Sequence, residues 1–463
     1  MKRTSKLFRG IGIASIALLS ATSASAHGNG NPKDTTRHLT GSLNVCDFGS
    51  FFVGGVPKLT QYANAATPAT PTTPWQQIII GQMYVQFMIP ENQRGWPVIM
   101  VHGGGYSGSG VESTPDGHEG WFAYSVRNGN ATYVVDQAGR GRSGFDRSMI
   151  HERIATNNLA GFPSLGTTSS SGIWTAWFGH LIPQGSDIVN GTLIKHGDAG
   201  DPQCATDPAH CKFSPAHNFD EVDPAIQARV GAIGPAPNPA NNKQLALEHY
   251  KWGVPNTNST LPGSVCPECS PNQNVGPDVT WSGQDLAKLV IKLGGAVIAT
   301  HSQAGPIGHH AVRYLKAAGQ LDKLKGLITI DGVGTTLAQS GTTAADYRKI
   351  PYMALLPYYP GLSTAVYEAN VAEIKAAGGR ADVVSLNNPI FKNRFKGVTH
   401  MMMMGVGHLD VFDVIQKWVG QNVPGSSKKV ACARANSRGD IGGDNDRGHG
   451  HDHHDDDDHD HGR

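Results

Sequence analysis

Short runs of consecutive apolar residues recur along the chain, and segments with helical spacing separate them. Continuous apolar runs are typical of strands that are buried on both faces of a sheet. The predicted buried strands are Pro97–Val101, Thr132–Val135, Val297–Ile298, Gly326–Asp331, Tyr352–Leu356 and Ala381–Leu386. The predicted helices are Asp285–Leu293, His309–Ala318, Val366–Ala377 and Val411–Val419. Strands that alternate with helices predict an α/β fold, with a mostly parallel sheet and helices on both of its faces.

Two earlier segments, Phe51–Val53 and Met83–Ile89, are also predicted to be strands, and the second of them alternates apolar and polar residues. A loop rich in proline and threonine, Thr67–Pro74, lies between them. We expect these two strands to pair antiparallel and to form the edge of the sheet.

A long insertion, about residues 146–280, separates the Thr132–Val135 strand from the Val297–Ile298 strand. Loops of this length are usually functional or carry structure of their own. Trp174, Trp177 and Phe178 stand at helical spacing, which favours a cap helix that packs on the core, with direct substrate contact as the alternative. The α/β domain with this cap is expected to span residues 27–433.

The N-terminal segment has the three parts of a secretory signal peptide. Basic residues precede the apolar segment Ile11–Leu19, and the small residues Ala24-Ser25-Ala26 follow it. We expect cleavage after Ala26, so that residues 1–26 are removed and the mature protein is secreted or periplasmic. An uncleaved membrane anchor is the alternative, although the apolar segment is short for a membrane span.

The charge balance and the C-terminal tail bear on the partners of the protein. The net charge is +1, so we expect neither a nucleic-acid nor a membrane partner. Residues 434–463 are polar and end in many histidines and aspartates, a composition that predicts disorder. Such a tail is expected to bind divalent metals weakly and without fixed geometry, and a dedicated scavenging role is the alternative.

Export would place the cysteines in an oxidising compartment, where disulfides persist. The simplest of the possible pairings joins the near neighbours and the two ends: Cys204 with Cys211, Cys266 with Cys269, and Cys46 with Cys432. The Cys266-x-x-Cys269 motif is alternatively a redox or zinc element, but no second pair stands at zinc-ribbon spacing.

The first candidate for chemistry is Ser302, which directly follows a predicted buried strand and precedes a predicted helix. A serine on a sharp turn from strand to helix forms a nucleophile elbow. The usual pattern is G-x-S-x-G, and here Thr300 and Ala304 occupy the two glycine positions. An ordinary Ser/Gly turn is the alternative.

A nucleophilic serine also needs oxyanion donors, a carboxylate and a base. After His102 and Gly103, the N–H of Gly104, with Gly105 as second choice, is expected to act with the N–H of Gln303. For the carboxylate, Asp331 ends a strand at the carboxyl edge of the sheet, where catalytic groups gather; a loop aspartate that caps a turn is the alternative. For the base, His400 and His408 both remain candidates.

Several stretches that span most of the mature chain match motifs of one family in the same order: Gly49–Gly55, Gln82–Val85, Ser113–Gly117, Asp136–Ser143, His301–Gln303 and His400–Met403. On these residues the chain resembles the α/β-hydrolases and, within them, a secreted bacterial esterase family. The resemblance implies an α/β-hydrolase fold with Ser302 as nucleophile. It also implies Asp331 as the acid after the strand that follows the elbow strand, and His400, before the methionine run, as the base.

The chain departs from this family at three places. The family can carry two adjacent cysteines where this chain has Gly104 and Gly105, and its acid is a glutamate where this chain has Asp331. The insertion and the tail have no counterpart. The expected function is a secreted serine esterase that hydrolyses small-molecule carboxylic esters through an acyl-enzyme, without a cofactor. An amidase or lactonase on the same triad, and a non-catalytic secreted protein that binds a ligand or metal, are the alternatives.

Overall fold

The computed structural model describes residues 39–64, 70–114, 118–167, 177, 188–189, 192–193, 250–265, 274–358, 362–395, 398–405 and 407–431. The strands in chain order are β1 (Val45–Thr60), β2 (Gln76–Pro90), β3 (Asn92–Arg94), β4 (Val98–Val101), β5 (Thr132–Asp136), β6 (Ile188–Val189), β7 (Thr192–Leu193), β8 (Ser264–Val265), β9 (Asn274–Val275), β10 (Ala296–His301), β11 (Leu324–Ile330), β12 (Tyr352–Leu356), β13 (Ala381–Ser385) and β14 (Lys429–Ala431). The helices are α1 (Trp121–Arg127), α2 (Arg147–Ala155), α3 (Pro277–Lys292), α4 (Ala304–Ala317), α5 (Thr364–Ala376) and α6 (His408–Asn422).

One large sheet organises the molecule, with its strands in the order β1-β2-β5-β4-β10-β11-β12-β13. Six neighbouring strands of this sheet, β5, β4, β10, β11, β12 and β13, are parallel to one another. Strand β2 is antiparallel to both of its neighbours, β1 and β5. The predicted parallel sheet with an antiparallel pair at its edge is therefore confirmed. Because the carboxyl ends of parallel strands lie at the same edge of a sheet, the loops after β4, β5, β10 and β11 meet at that edge.

Helices cover both faces of this sheet, as predicted. In β10, consecutive residues belong to different cores: Ile298 packs in the core that contains Leu286 of α3, and Val297 in the core that contains Phe412 of α6. Because side chains alternate across a strand, a strand between two helical layers needs apolar residues at every position. This requirement explains the continuous apolar run that precedes Ser302.

Helix α4 begins five residues before the predicted start at His309. Gly305, Pro306 and Gly308 are weak helix formers, but proline is tolerated in the first turn, where its missing N–H has no partner in any case. The early start brings the N-terminus of the helix directly behind Ser302.

Several predictions fall on residues outside the described ones: the signal peptide 1–26, the tail 434–463, most of the insertion, and all cysteines except Cys46. Among the residues that the structure describes, no helix has the length and hydrophobicity needed to cross a membrane.

Candidate active site

Ser302 occupies the turn between β10 and α4. Its φ angle is +54°, a region that a residue with a Cβ atom seldom adopts, so the turn holds a strained backbone conformation. Hydrogen bonds hold the turn in place: the Ser302 N–H donates to the Ile330 carbonyl at 3.1 Å, and the Ser302 carbonyl accepts from Val333 N–H at 2.8 Å. The side chain is half-buried. This is the geometry predicted for a nucleophile elbow.

Asp331 and His400 form a buried pair next to this turn. His400 Nδ1 and Asp331 Oδ2 are 2.6 Å apart, while Asp331 Oδ1 accepts from the Leu362 N–H at 2.9 Å. Asp331 follows β11, the neighbour of β10 in the sheet, and the register pairs His301 with Ile330. The sheet therefore places Asp331 at the same edge as Ser302, and a hydrogen bond joins Asp331 to His400, 69 residues further along the chain.

The loop that carries His400 is anchored on both sides of the imidazole. The methionines that follow, Met401 to Met404, are buried in the core beneath the sheet edge. His301 packs against His400 with ring centroids 4.5 Å apart, and His301 Nε2 lies 3.0 Å from the His400 carbonyl oxygen. Burial keeps the pKa of His301 well below its ordinary value, so its neutral ring donates from Nε2 to that carbonyl.

The glycine loop after β4 passes directly over the elbow. A methyl group on Gly103 would lie 2.6 Å from Ser302 Cβ, and one on Gly104 would lie 3.1 Å from Gln303 Oε1. Gly105 has a φ of +72°, and its carbonyl accepts from the Val254 N–H at 2.9 Å. The close approach at Gly103 leaves no room for a side chain beside the serine.

His102 ties this glycine loop to the end of β5. Its Nε2 accepts from the Gln137 N–H at 3.0 Å, and its Nδ1 lies 2.8 Å from the Gly103 carbonyl oxygen. The Gln137 side chain returns a bond of 2.8 Å to the His102 carbonyl. Burial lowers the pKa of His102 to about 4. The ring is therefore neutral, with its proton on Nδ1, and acts as a fixed spacer.

Sequence reasoning assigned no role to the charged residues at the end of β5 and in the turn that follows it. Asp136 accepts from the Gly108 N–H at 2.7 Å and from the Arg142 guanidinium at 3.0 Å. Burial alone would raise the pKa of Asp136, but the hydrogen bonds and charge of Arg142, together with the neighbouring His102 and the Gly108 N–H, outweigh burial and lower the pKa below its ordinary value. Arg140 is 1% exposed and donates from Nη1 to Gln303 Oε1 at 3.1 Å. The sequence did offer a signal for these residues: charged side chains stand in a glycine-rich turn at the end of a predicted strand.

His408, the other candidate for the base, and Asp382, an aspartate of β13 that serves as a comparison for Asp331, lie elsewhere in the fold. His408 is the first residue of α6, and its Nε2 lies 2.6 Å from the Glu119 carbonyl oxygen. Asp382 lies at the start of β13, at the opposite edge of the sheet from Asp331, and accepts from Trp418 Nε1 at 2.8 Å. The structure brings neither residue to the elbow.

Of the aromatic group in the insertion, the structure describes Trp177. Its ring packs on Tyr106, with centroids 5.1 Å apart, and a methyl group on Gly105 would lie 2.9 Å from the indole. Its carbonyl accepts from Thr399 Oγ1 at 3.1 Å. Trp177 therefore bridges the glycine loop and the loop that carries His400.

Comparison with known structures identifies the fold. A bacterial esterase superposes on 82% of this chain and on 98% of its own chain, with a TM-score of 0.57 and 25% sequence identity. The chain has the α/β-hydrolase fold. A carboxylesterase of Bacillus subtilis matches 81% of this chain and 92% of its own chain, at 11% identity and a TM-score of 0.31. That likeness is too distant to bear on function.

At the level of sequence, no family model matches the chain. One fungal protein, named a probable secreted lipase, is 29% identical over 93 residues, which are 20% of this chain. The match spans only about a quarter of that lipase, 25% of its length.

Proposed function

We propose that this α/β-hydrolase is a secreted serine esterase, a carboxylic ester hydrolase that works through an acyl-enzyme. The observation that carries the proposal is the buried 2.6 Å contact between Asp331 and His400 at the sheet edge where Ser302 forms a strained elbow. The likeness to a bacterial esterase and the partial match to a lipase support ester hydrolysis as the reaction.

In the proposed mechanism, Ser302 Oγ attacks the carbonyl carbon of the ester while His400 Nε2 takes the hydroxyl proton. With Nδ1–H donated to the ionised Asp331, Nε2 is the nitrogen that accepts this proton. The tetrahedral intermediate then breaks its bond to the alcohol oxygen, which receives the proton from His400. A water molecule repeats the sequence on the acyl-enzyme and releases the carboxylic acid.

The negative charge of the tetrahedral intermediate is expected to rest on backbone donors. We assign the N–H groups of Gln303 and Gly104 to this role, with Gly105 as second choice. The position of Gln303 at the N-terminus of α4 supports the assignment, because helix N-termini favour negative charge. The fixed glycine loop, held by His102, supplies donors that need no rearrangement during the reaction.

The acyl-enzyme proposal is tested with a fluorophosphonate probe and with Ser302→Ala. We expect the wild-type protein to carry one label on the peptide that contains Ser302. We expect Ser302→Ala to lose at least about 10⁴-fold in hydrolysis of p-nitrophenyl esters while its circular dichroism is unchanged. A panel of esters, amides and lactones then identifies the substrate class. Near-normal activity of Ser302→Ala would overturn the mechanism.

The proposal of export includes removal of residues 1–26 and at least one disulfide. Cys46 is disulfide-bonded, and we assign Cys432 as its partner. The pairing of β14 with β3 supports this choice, because Ala431 lies opposite Asn92 and Val45 lies opposite Pro90. Amino-terminal sequencing of the exported protein should begin at His27, and peptide mapping without reduction should recover Cys46 linked to Cys432.

Weak binding of divalent metals by the tail is a separate proposal, which rests on the composition of residues 434–463. Deleting these residues should reduce retention on immobilised nickel and leave ester hydrolysis nearly unchanged. A large loss of turnover in the deletion variant would instead show that the tail contributes to the active site.

A further inference from the structure

His301 is a buried polar residue at a position where the fold calls for an apolar one. It ends β10, and side chains alternate across a strand, so it lies on the same face as Val297 and Ala299. Those two residues pack in the core that contains Phe412. His301 itself is 5% exposed. A polar side chain at such a position needs hydrogen-bond partners to offset its loss of water.

The His301 ring adjoins two loops of the candidate active site. A methyl group on Gly103, in the glycine loop, would lie 3.1 Å from His301 Nδ1. The ring also packs on His400, with centroids 4.5 Å apart and an angle of 37° between the two planes. His301 Nε2 lies 3.0 Å from the His400 carbonyl oxygen. Because the buried His301 ring is neutral, its single proton stands on Nε2 when it donates to this carbonyl.

The backbone of His400 needs a donor of this kind. His400 is 3% exposed and belongs to neither a helix nor a strand, so regular secondary structure does not pair its carbonyl. Buried carbonyls are nearly always paired, with side chains where secondary structure supplies no partner. His301 supplies the donor from β10, which is fixed between β4 and β11. The residue directly before the nucleophile therefore holds the backbone of the candidate base.

We propose that His301 is a positioning residue for His400. Its Nε2–H fixes the backbone of His400, so that Nδ1 of His400 stays at Asp331 and Nε2 remains available to Ser302. The same strand then determines where both the nucleophile and the base lie. This inference deepens the proposed esterase function and rests on it.

The expected effect falls on kcat. Proton transfer needs closely aligned groups, and displacement of a reacting group by about 1 Å can cost about 10²-fold in rate. The bond to Asp331 and the buried methionines that follow His400 also hold the loop. We therefore expect loss of the His301 donor to lower kcat by about 10- to 100-fold, with little change in KM.

The first experiment compares His301→Gln and His301→Phe in the full-length protein. Glutamine places a neutral N–H donor close to the position of histidine Nε2, whereas phenylalanine keeps a flat ring but has no donor. With a p-nitrophenyl ester, kcat of His301→Gln should stay within about threefold of the wild-type value, and kcat of His301→Phe should fall about 10- to 100-fold. Full kcat in His301→Phe, or equal losses in the two variants, would overturn the proposal.

The proton between His400 and Asp331 gives a readout that a mere loss of stability would not move. A proton in a short bond from an imidazole to a carboxylate resonates far downfield in a proton NMR spectrum. This resonance should be kept in His301→Gln and should shift or broaden in His301→Phe, because His400 is then held less firmly against Asp331. An unchanged resonance in folded His301→Phe would contradict the proposed role.

A measurement on the wild-type protein does not depend on how well any variant folds. Nitrogen-15 NMR of protein labelled at histidine distinguishes the two neutral tautomers, and the signals of His301 are those missing from His301→Gln. At neutral pH we expect His301 to be neutral and to carry its proton on Nε2. A proton on Nδ1 alone would refute the proposal, because Nε2 could then not donate to the His400 carbonyl.

The matched control is His151→Phe. His151 belongs to α2, and its Nδ1 lies 3.2 Å from the Tyr62 carbonyl oxygen, so this substitution also removes a contact between a histidine and a backbone carbonyl. It should leave kcat unchanged, and a loss as large as that of His301→Phe would overturn the assignment. Failure of the underlying esterase proposal is recognised separately, by wild-type protein that neither hydrolyses esters nor takes the phosphonate label at Ser302.

Discussion

Asp285→Asn is predicted to stabilise the protein at neutral and alkaline pH and to have no such effect in acid. Asp285 of α3 is 2% exposed, and β1 lies directly against it: a methyl group on Gly54 would be only 2.0 Å from Oδ1. Lys288 Nζ donates to the same oxygen at 3.0 Å. Burial raises the pKa of Asp285 from 3.8 to about 7, although Lys288 opposes the shift.

The size of the effect follows from proton linkage. Between about pH 4 and pH 7 the unfolded chain releases a proton that the folded protein retains, so stability falls as the pH rises. Each pH unit in this window costs about 1.4 kcal/mol, which gives a total of about 4 kcal/mol at pH 8. Below about pH 4 Asp285 is protonated in both the folded and the unfolded protein. Above about pH 7 it is ionised in both, and the loss of folding stability no longer changes with pH.

The assay is urea unfolding followed by tryptophan fluorescence at pH 4, 6 and 8. Asparagine has the same shape as aspartate but does not ionise. We expect the free energy of unfolding of Asp285→Asn to exceed the wild-type value by a few kcal/mol at pH 8 and to match it within about 1 kcal/mol at pH 4. Asp382→Asn is the control, because the Asp382 side chain is 39% exposed. A gain of equal size at every pH would refute the reasoning.

The remaining predictions concern the site. Asp331→Asn should keep the fold but lower kcat on the order of 10⁴-fold, because the amide favours the wrong tautomer of His400, whereas Asp382→Asn should retain activity; the opposite result in an ester assay would reassign the acid. His400→Ala should lose activity, and His408→Ala should keep most of it. The reverse result would make His408 the catalytic base. Gly103→Ala should lower kcat at least about tenfold with unchanged circular dichroism, since its methyl would lie 2.6 Å from the nucleophile Cβ; full activity would show that the loop can move aside.

The sequence by itself determined the features that depend on neighbours along the chain. A strand buried on both faces must be apolar throughout, so the run before Ser302 identified both the strand and the turn that ends it. The hairpin was harder to delimit, and β1 is 16 residues long against the three predicted. Its outer face carries exposed apolar residues such as Phe48 and Phe52, which hide the alternation of a half-buried strand.

The tertiary structure decided which distant residues meet. The sheet order places β4 between β5 and β10, although the long insertion separates β10 from both of these strands in sequence. Only this order brings Asp331 to His400 and Arg140, 163 residues away in sequence, to Gln303. Apart from the match of His400–Met403 to a family motif, the local sequence does not distinguish His400 from His408, because both are loop or helix-end histidines near buried apolar residues. The physical difference is that His400 reaches the carboxylate of Asp331, whereas His408 contacts the backbone carbonyl of Glu119. Which of these contacts forms is decided by how distant segments of the chain pack together.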